Sequence, residues 1–416
     1  MSLHELTRDF VGRCVSEQAA YQVLCDLVER VGPRPSASPA ERQATEIVMD
    51  ALRSRGFETS IEEFSYPGWQ PGATTVTVHE GGGTRAIPCH PLGWCPAASV
   101  RAAVADVGFG SEEDFRKLDV RGRIVLASSA SAPSSKPLHR SRKYALAVEG
   151  GAAGFAFYDA RPGGVVPMGS ARLEAGLGSI PGVGIGYEDA MRLRRKAGRV
   201  ELEISSACSG RAAVSCNGVA CRKGKSEEEI VVCGHIDSWF CEGAFDNGSG
   251  IAMLVELARL LEPCALERSL RFITFGSEEP GLLGSKAYVK SHTDLSRIRC
   301  LLNIDSAAIR EGTLTITTNE NRRLHEFFER LGRDLHLDLE LRGERIRYSD
   351  HDPFRERGVA CAQFLAVSPK YAFAHSVFDT LDKLSAECFT VPLVVAGAAV
   401  IEAAMRKPDF AEDHRP

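Results

Sequence analysis

From Glu229 onward the chain alternates apolar strand-like runs with helical or loop segments. Ile230–Cys233, Leu270–Phe275 and Leu301–Ile304 are each followed by such a segment, and Thr313–Thr317 and Ala362–Val367 add two more strands. Continuous apolar strands set between helices are buried on both faces, which calls for a largely parallel sheet with helices on either side. The expected fold class is therefore α/β, with a mixed, largely parallel central sheet flanked by helices. In open sheets of this kind ligands collect beyond the carboxyl ends of the strands. His235, Glu278, Glu279 and Asp305 each fall one to four residues past a predicted strand end, and Asp246 and His375 lie on loops able to reach the same edge.

At 416 residues the chain exceeds one ordinary core, so two or three domains are expected. Most of the first 56 residues read as helices: Glu17–Val31 ends at Gly32-Pro-Arg-Pro, and Ala40–Arg55 ends at Gly56. Thr59–Phe64 and Ala73–His79 then read as strands. From about Cys89 to Cys208 the texture changes to short β-like segments (100–107, 122–128, 152–158 and 200–204), with one helix at Arg142–Glu149 and loops rich in Gly, Pro and Ser. This predicts a discontinuous first domain, residues 1–88 and 211–416, interrupted by a β-rich insertion over 89–210.

The net charge of -5 carries no nucleic-acid signal, and the one basic run, Lys136 to Lys143, reads as a solvated loop. Thirteen scattered cysteines without a Cys-x-x-Cys pair read as free thiols in a reducing compartment. The N-terminus, Met1 to Phe10, lacks the basic and apolar regions of a signal peptide, and the longest apolar run, Val391–Ile401, is about half a membrane span. A cytoplasmic protein with no membrane or nucleic-acid partner is expected, or a secreted one if a leader has been removed.

Each candidate residue has a plain reading as well as a chemical one. His235-Ile-Asp237 puts two side chains on one side of an extended segment, so Asp237 can orient the imidazole for a metal; the same pattern is common in polar loops. Asp246-Asn-Gly-Ser-Gly serves equally as a turn and helix cap. The adjacent carboxylates Glu278 and Glu279 repel unless a cation lies nearby, and an exposed acidic turn is the alternative. Asp305 follows an apolar run, an awkward place for an unpaired charge, and His375 fits a capping or core role as well as a ligand role. Two histidines and three carboxylates are the donor set of a metal pair sharing one carboxylate, with Glu278 left over as a general base.

Taken in order, the pieces Gly234-His-Ile-Asp-Ser, Gly243-Ala-Phe-Asp-Asn-Gly-Ser-Gly, Phe275-Gly-Ser-Glu-Glu-Pro-Gly, Asn303-Ile-Asp, Ser349-Asp-His-Asp-Pro-Phe and His375-Ser-Val-Phe-Asp-Thr resemble the co-catalytic zinc aminopeptidase and glutamate carboxypeptidase family. The likeness covers about 229–400 and extends to the opening helices with Gly32-Pro-Arg-Pro-Ser. The insertion resembles a protease-associated domain, through Asp119-Val-Arg-Gly-Arg-Ile-Val-Leu-Ala, Lys143 to Gly154 and Ile180-Pro-Gly-Val-Gly-Ile. Such domains are non-catalytic and often help to wall the substrate cleft.

The resemblance implies two Zn2+ ions per chain, one on His235 and Asp305, the other on Glu279 and His375, bridged by Asp246. It makes Glu278 the general base and Asp237 the residue that orients His235, and it implies a cis peptide at Asp246–Asn247. The implied activity is removal of the N-terminal residue from a peptide or peptide-like substrate. Aromatic residues near these motifs are candidates for the substrate pocket, Tyr348, Tyr371 and Phe378 chief among them. The nearest alternative is a carboxypeptidase or dipeptidase, which needs an arginine clamp for the substrate carboxylate; Arg342, Arg345 and Arg347 are placed to supply one. A non-catalytic, receptor-like binding module is more distant, since no ligand and no base is missing. Oligomeric state is not legible in the sequence.

Overall fold

The computed structural model describes residues 3–132, 137–406 and 408–410. Lys136 of the basic run and the first two residues of the N-terminal stretch lie outside the described residues. Among the described residues, sixteen strands form two eight-stranded sheets. In chain order they are β1 (Glu58–Gln70), β2 (Thr74–Glu80), β3 (Gly83–Ile87), β4 (Cys89–Pro91), β5 (Ala98–Asp106), β6 (Ile124–Ser128), β7 (Gly154–Tyr158) and β8 (Gly182–Ile185). Then follow β9 (Glu201–Ser206), β10 (Ser209–Arg222), β11 (Ser226–His235), β12 (Arg268–Phe275), β13 (Ile298–Ile304), β14 (Thr313–Thr317), β15 (Glu340–Arg342) and β16 (Cys361–Val367).

The first sheet has the order β1-β10-β12-β11-β13-β16-β14-β15. Its centre, β12-β11-β13-β16, is parallel throughout, while β1, β10 and β14 join antiparallel to their inner neighbours. This is the mixed α/β architecture the apolar runs predict, and residue parity explains those runs. Ile230 and Val232 bury on one face with Phe272, Leu302 and Phe364, whereas Val231 and Cys233 bury on the other with Ile273, Phe275 and Leu301. Both faces are covered, so neither parity is polar.

Gly250–Leu260 and Thr390–Met405 are the most buried helices, and both pack on the first of these faces. The apolar run at 391–401 thus serves as a core helix packed against Leu3–Glu17. The expected helix Glu17–Val31 starts later, at Ala20, and a separate helix, Leu3–Glu17, precedes it, the two broken where Gln18 takes a φ of 45°. The next begins at Pro39, capped by the Ser38 side chain accepting the Glu41 N–H, and runs to Arg53.

The second sheet has the order β3-β2-β9-β5-β6-β7-β8-β4, with parallel β5-β6-β7-β8. It is less purely β than expected, because helices Glu112–Lys117 and Tyr187–Arg194 accompany the predicted one, seen here as Arg140–Glu149. The strand pairing also departs from the 88/89 boundary. β2 and β3 belong to this second sheet, because Val76 and Val78 bury against the same core as Leu202 and Ile204. All thirteen cysteines are unpaired.

Candidate metal centre

Because β12, β11, β13 and β16 are parallel neighbours, their carboxyl ends share one edge. β11 ends in His235, the chain leaves β12 through Gly276-Ser277 into Glu278-Glu279, and Asp305 directly follows β13. The link from β11 to helix Gly250–Leu260 contributes Asp246, and the loop after β16 contributes His375. Asp246 sits between the two imidazoles: its Oδ1 is 3.2 Å from His235 Nε2 and its Oδ2 is 3.2 Å from His375 Nε2. Asp305 Oδ1 lies 3.6 Å from His235 Nε2, and Glu279 Oε2 lies 2.9 Å from His375 Nε2. The five predicted ligands thus meet as two trios, His235/Asp246/Asp305 and Asp246/Glu279/His375, with donor atoms within 4.8 Å of one another in each. The peptide between Asp246 and Asn247 is cis.

Several buried groups fix these side chains. Asp237 accepts the main-chain N–H of Glu278 at Oδ1 (3.0 Å) and of Glu279 at Oδ2 (3.2 Å), while its carbonyl oxygen is 3.1 Å from His235 Nδ1. It therefore ties His235 to the paired glutamates as well as orienting the ring, a wider role than the motif suggests. Ser349 donates to Asp305 Oδ2 and accepts from Asn303 Nδ2, so Ser349-Asp350-His351 is a buried support.

Three further supports were given no role by the sequence, although Arg34 and Asp379 lie inside the quoted motifs Gly32-Pro-Arg-Pro-Ser and His375-Ser-Val-Phe-Asp-Thr. Glu41, 1% exposed, accepts the Ser277 N–H at Oε1 (2.7 Å) and the Ala37 N–H at Oε2 (2.8 Å). Asp379 accepts the N–H groups of Phe245 (2.7 Å) and Asp246 (3.0 Å). Arg34, wholly buried, donates to the carbonyls of Ile236, Glu242 and Gly243 and so staples the loop between His235 and Asp246. Each is a polar side chain in a stretch whose sequence pattern reports only helix or turn.

Charge, more than geometry alone, marks the site as a cation site. Burial pushes Glu278 well above the usual carboxylate range; His235 opposes this, while Asp350 and Glu279 reinforce it. Burial raises Glu279 too, against the pull of His375. Burial by itself would lower both histidines, but the surrounding carboxylates overcome it: His235 is held well above its ordinary value and His375 is raised to about 10. Burial also works against ionising Asp246, and its two histidine contacts overcome that, holding it well below the usual range. Glu279 Oε1 is buried with no hydrogen-bond partner. Carboxylates crowded in this excess, one oxygen buried without a partner, have the donor chemistry of a divalent-cation site.

A cleft of about 450 Å³ opens over the trios. One wall is apolar, with Leu282, Leu365 and Val367; another comes from the second sheet's domain, with His139, Arg140, Ser170 and Leu173. Of the three aromatic candidates, Tyr348 lines the cleft and stacks on His139, with ring centroids 4.6 Å apart. Tyr371 and Phe378 do not line it. The loop 368–380 turns Ala372 and Ala374 inward, so Tyr371 faces a separate cavity beside Arg310 and Leu337, and Phe378 packs outside on Phe373. The expected arginine clamp is not at the cleft either. Arg342 is paired with Glu340, Arg345 with Asp352 and Glu356, and Arg347 is exposed outside the lining.

Residues 217–391 match peptidase family M28 and residues 95–193 match the PA domain. The chain belongs to peptidase family M28, with an inserted PA domain. It is 28% identical to aminopeptidase YwaD of Bacillus subtilis (strain 168), an alignment covering 93% of this chain and 85% of that protein. It is 27% identical to carboxypeptidase Q of Mus musculus, over 74% of this chain and 69% of that one. The solved structure of BSAP, described as a zinc aminopeptidase from Bacillus subtilis, superposes with a TM-score of 0.71 at 26% identity, covering 94% of this chain and 96% of that chain. An M28 peptidase is a metallopeptidase, and among the described residues the two trios are the groups that could hold a metal ion.

Proposed function

We propose that this M28 peptidase is a di-zinc aminopeptidase. His235 and Asp305 would hold one ion, Glu279 and His375 the other, and Asp246 would bridge them. The observation that carries this reading is the Asp246 carboxylate, with one oxygen at 3.2 Å from each histidine and one trio on either side. A bound metal pair supplies the positive charge that acidifies a water and polarises the scissile carbonyl.

The rest of the reaction falls to the chain's own side chains. Glu278, held by Asp237 through its main-chain N–H, takes the proton from the attacking water and delivers it to the leaving amine. Its upward shift by burial suits a group that must hold a proton between those two steps. Asp237 keeps His235 and the Glu278-Glu279 turn in register, and the apolar wall of Leu282, Leu365 and Val367 receives an apolar substrate side chain. Support for N-terminal specificity comes from the relatives named aminopeptidases, whose alignments span nearly the whole chain.

A second reading, cleavage of substrates with a free carboxylate, is favoured by Arg140. This side chain lines the cleft, donates through Nε to the Ser170 carbonyl (2.8 Å), and has no carboxylate paired with it among the described residues. Zinc analysis, with leucine p-nitroanilide set against an N-acylated dipeptide bearing a free carboxylate, separates the readings. Glu278→Gln is expected to keep two zinc ions per chain and lose roughly 10²–10⁴-fold in kcat. Near-normal turnover in that variant would remove Glu278 from the role of base.

A further inference from the structure

The two halves of the metal centre are not supported in the same way. His235 and Asp305 extend directly from β11 and β13, and Asn247 locks the Asp246 turn to the same edge. Its Nδ2 donates to the Ile304 carbonyl (2.8 Å) and its Oδ1 accepts the Ser306 N–H (2.9 Å). This trio is built within the first sheet's domain. Glu279 and His375 stand on irregular loops instead, and both loops are gripped by the inserted domain.

At the glutamate loop, Ser170 Oγ donates to the Glu279 carbonyl (3.2 Å) and Trp94 Nε1 donates to the Pro280 carbonyl (2.8 Å). At the histidine loop, the Met168 N–H donates to the His375 carbonyl (2.8 Å). Arg161 donates to the Ala372 carbonyl and lies over the Phe373 ring, 4.6 Å from its centroid. Asp159 holds that guanidinium by two bonds, Nε to Oδ1 and Nη2 to Oδ2, each 2.9 Å. His375 itself has a φ of 57°, in the left-handed region that a β-carbon disfavours, so its loop depends on outside contacts to stay in place.

We infer that the inserted domain is a clamp that builds one half of the metal pair, with Arg161 as the positioning residue for His375. This rests on the two-metal reading above and adds to it that the ions have separable supports. Loosening the clamp lowers affinity at the Glu279/His375 site and leaves the His235/Asp305 site intact. The domain that walls the cleft therefore also governs whether the second ion is retained.

The test is a zinc titration of the full chain against a chelating competitor, comparing wild type with Arg161→Ala and Arg161→Lys. For Arg161→Ala, one of the two binding steps is expected to weaken by about 10–100-fold, the usual cost of removing a group that holds a ligand in place, while the other stays within about twofold. Arg161→Lys, which keeps a donor and a positive charge over Phe373, is expected to fall between. Phe373→Leu, which removes only the ring beneath the guanidinium, should weaken the same step and serves if the alanine variant does not fold. Equal weakening of both steps, or no change in either, overturns the clamp. A wild-type chain that binds a single zinc ion instead overturns the two-metal reading, so the two failures are told apart.

Discussion

Glu41 offers the sharpest test of how the turn bearing Glu278, the proposed base, is held. Its carboxylate receives a main-chain N–H on each oxygen, from Ser277 at 2.7 Å and from Ala37 at 2.8 Å, and Ser215 Oγ donates to it at 2.8 Å. Glu41→Gln keeps the shape but offers one acceptor oxygen, so the amide NH2 must face one of the two N–H groups whichever way it is flipped. A buried donor left unsatisfied costs about 1–3 kcal/mol. At roughly 2–4 °C per kcal/mol for a domain of this size, Tm should fall by about 2–12 °C.

Activity discriminates further, because Ser277 immediately precedes Glu278 and takes a φ of 52°. If its N–H is the one released, the turn shifts, and a displacement of about 1 Å can cost on the order of 10²-fold in rate. The assay is thermal unfolding of the metal-free chain, together with kcat and KM per zinc-loaded molecule. The expected result is a lowered Tm and a lowered kcat at nearly constant KM. A variant matching wild type in both would refute the argument that this carboxylate holds the turn.

Two other outcomes follow from the packing. His351 is fully buried, and its Nε2 is 3.1 Å from both Asn319 Oδ1 and the Ile346 carbonyl, while Nδ1 faces Asn303 Nδ2 at 3.4 Å. Burial lowers its pKa to about 4, so between the ordinary value near 6.5 and 4 the unfolded chain binds a proton that the folded chain refuses. Its contribution is complete above that window and is lost as pH falls through it, with a limiting slope of about 1.4 kcal/mol per pH unit. Denaturant titrations at stepped pH should show that slope reduced in His351→Gln. Gly397→Ala would place a β-carbon 1.9 Å from Phe10 Cζ, and overpacking of this kind costs about 1–3 kcal/mol. Its Tm should drop and recover in part with Phe10→Leu added; an unchanged Tm in the single variant would contradict the tight contact between the first and last helices.

How much of this was legible in the sequence depended on whether a residue's role was local. The strands β11, β12, β13 and β16 announced themselves because burial on both faces leaves no polar parity. His235, Glu279 and Asp305 were legible because they fall at or just past the carboxyl ends of such runs, and Asp246 and His375 because their loops carry the remaining motifs. β10 was not, since Ser209–Arg222 is built largely from Ala, Ser, Cys and Gly with little apolar contrast, and its place beside β12 is set by pairing rather than pattern. Tyr371 and Phe378 were misplaced for a related reason: closeness to His375 along the chain says nothing about which way a loop turns each side chain.

The supports were hidden more deeply. Glu41 acts on Ser277 across 236 positions, and Arg161 acts on Ala372 across 211. An acidic residue early in a helix and an Asp-x-Arg in a loop each have sufficient local explanations, so nothing flags them until the fold brings them together. The proposed metal pair needs donors, which motifs reveal, but it also needs loops that stay in place when like charges are crowded onto them. Here that restraint comes from the N-terminal segment on one side and the inserted domain on the other. Changes in either region should therefore alter metal retention or kcat before they alter which peptide side chain the cleft accepts.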